Sequence, residues 1–372
     1  MTLSRSLIST ALALLLLASP AFAAIPKKPV IQVAILLDTS GSMDGLIDQA
    51  RKQLWRVVNE LAVAKKNGHS PDLQVALYEY GNDGLSSENG FIRRVLPLTT
   101  DLDRVSEELF ALHTNGGSEY CGQVIAEATK GLQWSPSADD MKLIFIAGNE
   151  EFTQGKIDFH SACRKAIAQG IIVNTIFCGD KQEGISTHWK DGADLADGRY
   201  MSIDQNSKVA DIPAPQDKEI ALLGGELNKT YIGYGASGEA GAARQNAQDA
   251  NLAAAPAANV QRQVAKAQAV YSNSGWDLVD AAKEGSVDVS KMKEKDLPAE
   301  MKKMTPEQRK AYVAEKEKKR AEIQSKIKKL DEDRKKFVAR EMKKLPAATS
   351  TLDAAVISAV RDVGTKNGYK FP

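Results

Sequence analysis

The chain has 372 residues, 43% of them hydrophobic, which is more than one average domain needs and enough for a sizeable core. Its formal net charge of +1 singles out no polyanionic partner, and binding to nucleic acid is not expected.

Residues 1–23 read as an export signal. Arg5 precedes an apolar run from Leu7 to Ala18, and Pro20 comes before Ala21-Phe22-Ala23, an A-x-A cleavage pattern. The run is shorter than the ~20 residues a membrane-spanning helix needs, which speaks against an anchor. No later segment is apolar enough to span. The mature chain, from Ala24, is therefore expected outside the cytoplasm, periplasmic or secreted.

From Ile31 onward, buried strands alternate with amphipathic helices. Ile31–Leu37 is a continuous apolar run of strand length, as suits a strand covered on both faces. A helix is predicted over 46–64, with Leu54, Val57, Val58 and Leu61 on one face. Strands are predicted over 73–80 and 91–98, helices over 101–112 and 121–132, and a strand over 143–146. A helix over 157–169 ends at Gly170 and leads into a strand over 171–177. A short strand over 200–203 and a helix over 220–227 complete the pattern. Strands separated by helices of this length indicate a doubly wound α/β sheet with ligands bound at the carboxyl ends of its strands.

The α/β part is expected to close near 235. Residues 236–300 read as a helical linker, rich in Ala, Gln and Asn over 236–270, with a docking patch at Tyr271, Trp276, Leu278 and Val279. Thr305-Pro306-Glu307-Gln308 is a helix start with a capping box, opening a long helix within 301–345 that stops before Pro346. A last amphipathic helix falls in 346–372. Residues 301–344 hold 17 Lys and Arg against 8 Asp and Glu, a net of +9. This basic helix is either a solvated face rich in i,i+4 pairs, or packs on the chain's own acidic body or an anionic partner. Val313, Ile323, Ile327, Leu330 and Phe337 fit a coiled-coil seam for self-association, but Arg320 and Arg334 fall on the same seam.

The chemistry concentrates at Asp38-Thr39-Ser40-Gly41-Ser42, directly after the first strand. One carboxylate and two hydroxyls at i, i+2 and i+4 are the hard oxygen donors that Mg²⁺ or Ca²⁺ takes. The alternative is a helix N-terminus capped by Ser40 or Ser42.

At these residues the chain resembles the von Willebrand factor type A domain with its metal-ion-dependent adhesion site, over roughly 29–210. The resemblance implies a six-stranded, mostly parallel sheet, followed here by the α-helical extension. It implies a non-enzymatic protein that binds a protein partner through the metal. Asp38, Ser40 and Ser42 match the family's first ligand group, and Ser118 stands where the family has a threonine. Glu119 could add a charge, or be a first-turn residue favoured by the helix dipole. The family's second aspartate is missing: Gly148 takes its place, leaving Asn149 or Glu150 to reach the ion through water. The implied partner is an unidentified envelope or extracellular protein presenting an acidic side chain. A second reading makes the domain a scaffold and the helical extension the binding element of an envelope assembly factor.

Three cysteines remain. Cys163, near a helix start, and Cys178, at a strand end, both fall at the upper sheet edge, and a Cys163–Cys178 disulfide is expected. Cys121 bridging to either, or staying a buried thiol, are the alternatives. The four histidines form no metal-spaced pair, and Ser40 lacks His and Asp partners for hydrolase chemistry.

Overall fold

The computed structural model describes residues 28–207, 212–344 and 351–371. The expected export signal and Pro346 lie outside the described residues. The chain begins with β1 (Val30–Asp38), α1 (Asp44–Val63), a two-residue β2 (Lys65–Lys66), β3 (Asp72–Tyr80) and β4 (Ile92–Thr99). Then come α2 (Leu102–Ala111), α3 (Cys121–Gly131), β5 (Met141–Gly148), α4 (Phe159–Ala168) and β6 (Ile171–Cys178). Two short helices, α5 (Lys181–Ser186) and α6 (Trp189–Asp194), precede β7 (Tyr200–Ile203).

Six of these strands form one sheet in the order β4-β3-β1-β5-β6-β7, parallel throughout except that β4 runs antiparallel to β3. The apolar runs read from the sequence are its central strands, buried on both faces. Ile31, Val33 and Leu37 of β1 join Leu143 and Phe145 of β5 in a core against α1 and α2. Ala34 and Leu36 join Ile144 and Ile146 in a second core against α3 and α4. Side chains alternate between faces because successive Cβ atoms of a strand point opposite ways.

Beyond the sheet the chain continues as α7 (Asp217–Asn228), α8 (Gly238–Asn251), α9 (Pro256–Lys266), α10 (Leu278–Lys283), α11 (Pro306–Met342), α12 (Leu352–Lys366) and β8 (Tyr369–Lys370). These helices pack on the α/β body: α9 and α12 lie on α1, α8 lies on α2, and β8 pairs with β2. The contact is polar as well as apolar. Arg262 of α9 is fully buried, donates to Asp103 of α2 at 2.6 Å, and lies over the Trp55 ring at 4.6 Å. Tyr271 donates to the other oxygen of Asp103, also at 2.6 Å.

The long helix starts with the capping box read from its sequence, the Thr305 hydroxyl accepting from the Gln308 amide and the Gln308 side chain from the Thr305 amide. Its apolar seam is used within the chain. Ile323 and Ile327 pack against Ile220, Leu227, Val260 and Val264, and Val313 packs against Ile232 and Leu278. Arg320 donates to Asp277 and Asp280, each at 2.7 Å, with its guanidinium over the Tyr231 ring at 3.9 Å. Arg334 donates to Asp217 at 2.6 Å. The two arginines that break a coiled-coil seam are thus the ones that aspartates of the neighbouring α7 and α10 segments receive.

The expected Cys163–Cys178 disulfide is not formed. All three cysteines are free and buried. Cys163 belongs to the core on the α3–α4 face, with Cys121, whereas Cys178 points into the core on the α1 face. The sheet stands between them, and a disulfide needs Cα atoms within about 7 Å and Cβ atoms facing each other.

Candidate functional site

Asp38 ends β1, between β3 and β5, where successive connections leave toward opposite sides of the sheet. That switch in strand order opens a crevice at the carboxyl edge. The following loop is held by its backbone: the Thr39 amide donates to Tyr80 O at 2.8 Å and the Ser40 amide to Asp38 Oδ1 at 2.7 Å. Asp38, Thr39 and Ser40 are buried, and Ser42 is exposed at the mouth. The Ser40 and Ser42 hydroxyls lie 3.4 Å apart, and the Asn149 amide donates to Ser42 at 3.2 Å. Neither serine caps α1, whose N-cap residue is Met43 and which has no side-chain cap bond. Both hydroxyls therefore remain for the site.

The second loop, 113–119, is fastened to the first. The Asn115 amide donates to Thr39 O at 3.0 Å, Asp83 N to Gly116 O at 2.7 Å, and Asn82 Nδ2 to His113 O at 2.8 Å. Ser118 is half-buried in this loop, and among the described residues no hydrogen bond ties it to Asp38 or Ser40. Glu119 is buried, its amide donating to Gln154 Oε1 at 3.3 Å. Asp38 and Glu119 meet over Gly81, which has φ +79°. A Cβ there would stand 2.8 Å from Asp38 Oδ1 and 2.9 Å from Glu119 Cγ.

Asp38 is wholly buried, and its Oδ2 has no hydrogen-bond partner. Burial pushes its carboxyl up to about 7, and the charges of Glu119 and Glu150 add to the rise, partly offset by Ser40. Burial likewise pushes Glu119 up to about 7, with Glu150 and Asp83 adding to it and the Ser40 hydroxyl opposing. Two enclosed carboxyls, an unpaired carboxylate oxygen and the Ser40 and Ser42 hydroxyls beside them make a donor set that fits a hard divalent cation. Among the described residues no three His, Cys, Asp or Glu side chains gather as a metal cluster, so hydroxyls would have to complete the coordination.

Gly148 is a structural necessity. A Cβ there would lie 2.5 Å from the Tyr80 hydroxyl and 3.0 Å from Asp38 Oδ2. Tyr80 is fully buried and donates to Ala147 O at 3.0 Å. Its role is invisible in the sequence, because nothing near position 80 points to position 148. Beyond Gly148, Asn149 and the exposed Glu150 stand at the mouth. Their loop is stapled from below: Trp189 Nε1 donates to Glu150 O at 2.7 Å, Phe152 N donates to Thr187 O at 3.0 Å, and the Phe152 ring packs edge-on to Phe159 and Trp189. Of the histidines, His113 contributes its backbone oxygen to the second loop, and His160 and His188 pair with Asp158 and Asp191.

The family model of the von Willebrand factor type A domain matches residues 32–188. No curated protein matches the chain. Solved structures similar to it include conserved hypothetical protein BatB from Bacteroides thetaiotaomicron (19% identity, 47% of this chain and 90% of that one, TM-score 0.36). An aerotolerance-related membrane protein from Bacteroides fragilis is similar at 18% identity over 47% of this chain and 92% of that one, with TM-score 0.32. Proximal thread matrix protein 1 from the mussel byssus, with a zinc-occupied MIDAS motif, is similar at 11% identity over 47% and 42% of the two chains, with TM-score 0.34. By sheet order, by the loop that follows its first strand and by the family match, residues 32–188 of this chain are a von Willebrand factor type A domain.

Proposed function

We propose that the chain is an exported, non-enzymatic binding protein whose carboxyl sheet edge takes a divalent cation, Mg²⁺ or Ca²⁺, and through it a protein partner. Asp38, Ser40, Ser42 and Ser118 would hold the ion, with Asn149 and Glu150 at its mouth. A bound ion supplies a positive centre with an open position for an oxygen of the partner or of water. The chain's own residues fix where that centre lies: Tyr80 and Ala147 close its floor, and the Trp189 staple sets its rim. The observation that carries this reading is Asp38 Oδ2, a fully buried carboxylate oxygen without a partner. Such an atom costs free energy unless a cation or a proton meets it. Export is supported by the pattern of residues 5–23, and no described helix is long and apolar enough to cross a membrane. Domains of this family are typically protein-interaction modules rather than enzymes. The test is capture of envelope proteins on the purified chain with and without chelator: a partner lost to chelator and lost with Asp38→Ala supports the reading, and a partner indifferent to both refutes it.

One observation favours the scaffold reading as well. The solvent side of α11 carries Lys310, Lys318, Lys326 and Lys329, all exposed. Removing residues 301–344 would strip Asp277 and Asp280 of Arg320, so charge reversal is the cleaner probe. Loss of the partner on Lys318→Glu with Lys329→Glu, with Asp38→Ala harmless, would assign binding to the helix.

A further inference from the structure

Three reactive side chains meet in the helical extension, away from the ion site. Asn228 is the last residue of α7, Lys266 the last of α9, and Asp249 lies in α8. Leu227, Val260 and Val264 share one apolar cluster, which brings the ends of α7 and α9 together. Lys266 is fully buried, and its Nζ donates to Asn228 Oδ1. A C=O bond is only about 1.23 Å long, so an amine that touches Oδ1 stands beside Cγ. Asp249 Oδ2 serves both partners: it accepts from Lys266 Nζ at 3.0 Å and from Asn228 Nδ2 at 2.6 Å. Asn246 Oδ1 accepts from the same Nδ2 at 3.2 Å, which sets the carboxamide with its oxygen toward the amine. A buried amine, a carbonyl carbon and one carboxylate oxygen touching both the amine and the leaving nitrogen are the parts of an acyl transfer.

We propose that Lys266 and Asn228 join in an isopeptide bond, with Asp249 as the proton relay and ammonia as the leaving group. Asp249 takes a proton from the Lys266 ammonium, and the freed lone pair forms the Nζ–Cγ bond as the C=O electrons move onto Oδ1. A second Nζ proton leaves through Asp249. When the carbonyl re-forms, the Cγ–Nδ2 bond breaks and Nδ2 departs with both protons as ammonium. The products are one secondary amide and one ammonium ion, and nothing is oxidised or reduced. All three cysteines lie before position 179, so no disulfide can staple the extension; this bond ties α7 to α9 across 38 positions without one.

The charges that bear on Lys266 are Asp249 of α8, Asp103 of α2 and Arg262 of its own helix, while α7 and α11 offer the uncharged Asn228 and Gln324. Burial, joined by Arg262, outweighs the two aspartates and brings the ammonium down to about 8. Below that value the ion pair persists, so freshly folded chain is unlinked and the bond accumulates slowly. The rate rises about tenfold per pH unit until the amine is free.

The experiment uses the purified mature chain, freshly folded and divided between a buffer about two pH units below the Lys266 value and one about a unit above it. After incubation each sample is denatured, digested with trypsin and read by mass spectrometry. The expected product is one branched peptide joining residues 219–229 to 263–283, uncut after Lys266 and short of the two summed masses by one ammonia. It should form on the order of tenfold or more faster in the higher-pH sample. Asn-Gly steps such as Asn67-Gly68 also shed ammonia on ageing, so the branched peptide and not the intact mass is the readout. Lys266→Met and Asn228→Ala are expected to give none; Asn228 is half-buried at a helix end, so its variant serves where Lys266→Met fails to fold. Asp249→Asn, which keeps the shape and loses the relay, should link ~100-fold more slowly. The urea midpoint should climb with the linked fraction in wild type, because the link closes a loop in the unfolded chain, and stay level in Asn228→Ala. No branched peptide from wild type after the higher-pH incubation overturns the proposal, as does a link from Lys266 to Asp249 with loss of water instead. Linkage in Asp249→Asn at the wild-type rate overturns the relay.

Discussion

The Tyr80 hydroxyl stands 2.5 Å from where a Cβ on Gly148 would be, so the residue that closes β3 dictates that β5 end without a side chain. Gly148→Ala is expected to cost ~1–3 kcal/mol, as overpacking of a full interior does. In a Tyr80→Phe background the cost should fall, because the clashing atom is gone. Urea melts of the two single variants and the double variant give the coupling directly. Additive costs would show that the hydroxyl is not the obstacle.

Ion binding should register as stability. A ligand that binds only the folded state adds about 2.7 kcal/mol at a hundredfold excess over Kd. Thermal unfolding of wild type should shift upward with Ca²⁺ or Mg²⁺ and return with chelator. Asp38→Asn should show no shift. It should be no less stable than wild type in chelator, since it keeps the oxygen that accepts from Ser40 and removes a buried charge. An ion-induced shift surviving in Asp38→Asn would move the ion elsewhere.

Asp249 joins α8 to α9 through Arg262 at 2.6 Å and Lys266 at 3.0 Å. Burial works to raise its carboxyl, but Lys266 and Arg262 outweigh that and hold it down at about 2. The effect falls on this side of the pair because Lys266 is fully enclosed, and burial drives its ammonium down to about 8, whereas Asp249 keeps some contact with water. A carboxyl lowered on folding adds stability that is present above its unfolded value and is lost as pH falls through its folded one. Asp249→Asn should therefore cost roughly 2 kcal/mol or more near neutrality, and the gap to wild type should close between about pH 4 and pH 2. A gap constant across that range would exclude the ion pair as its cause.

The thiols offer a simple check. Burial raises all three, Cys163 to about 12 and Cys121 and Cys178 further, so none carries reactive thiolate at neutral pH. A thiol reagent should titrate none of them quickly in the folded protein and all three after denaturation. A count of one in denaturant without reductant would reveal a disulfide.

Where the chain's chemistry is local, the sequence was a sufficient guide. The run Ile31–Leu37 suits a doubly covered strand, and β1 is one, with the loop after it at the sheet's carboxyl edge and the Ser40 and Ser42 hydroxyls side by side next to Asp38. What could not be read depends on distant pairings. Arg320 and Arg334 looked like faults in a seam because Asp277 and Asp217 lie 43 and 117 positions away. The cysteine pairing failed because both residues fall near one sheet edge, and only the strand's register tells which face each one takes. Tyr80 is legible only once β1, which separates β3 from β5, is in place.

The pairing of β2 with β8 and the seat of α12 on α1 have a mechanical consequence. The helical extension leaves the α/β body after β7 and is fastened to it again at its far end. A tether transmits tension and little else. An arm riveted at both ends, with Arg262 of α9 on Asp103 of α2 as a cross-brace, moves with the body as one piece. A partner gripping α11 would turn the sheet's ligand edge with it, so the two candidate binding faces of this protein keep a fixed bearing to one another.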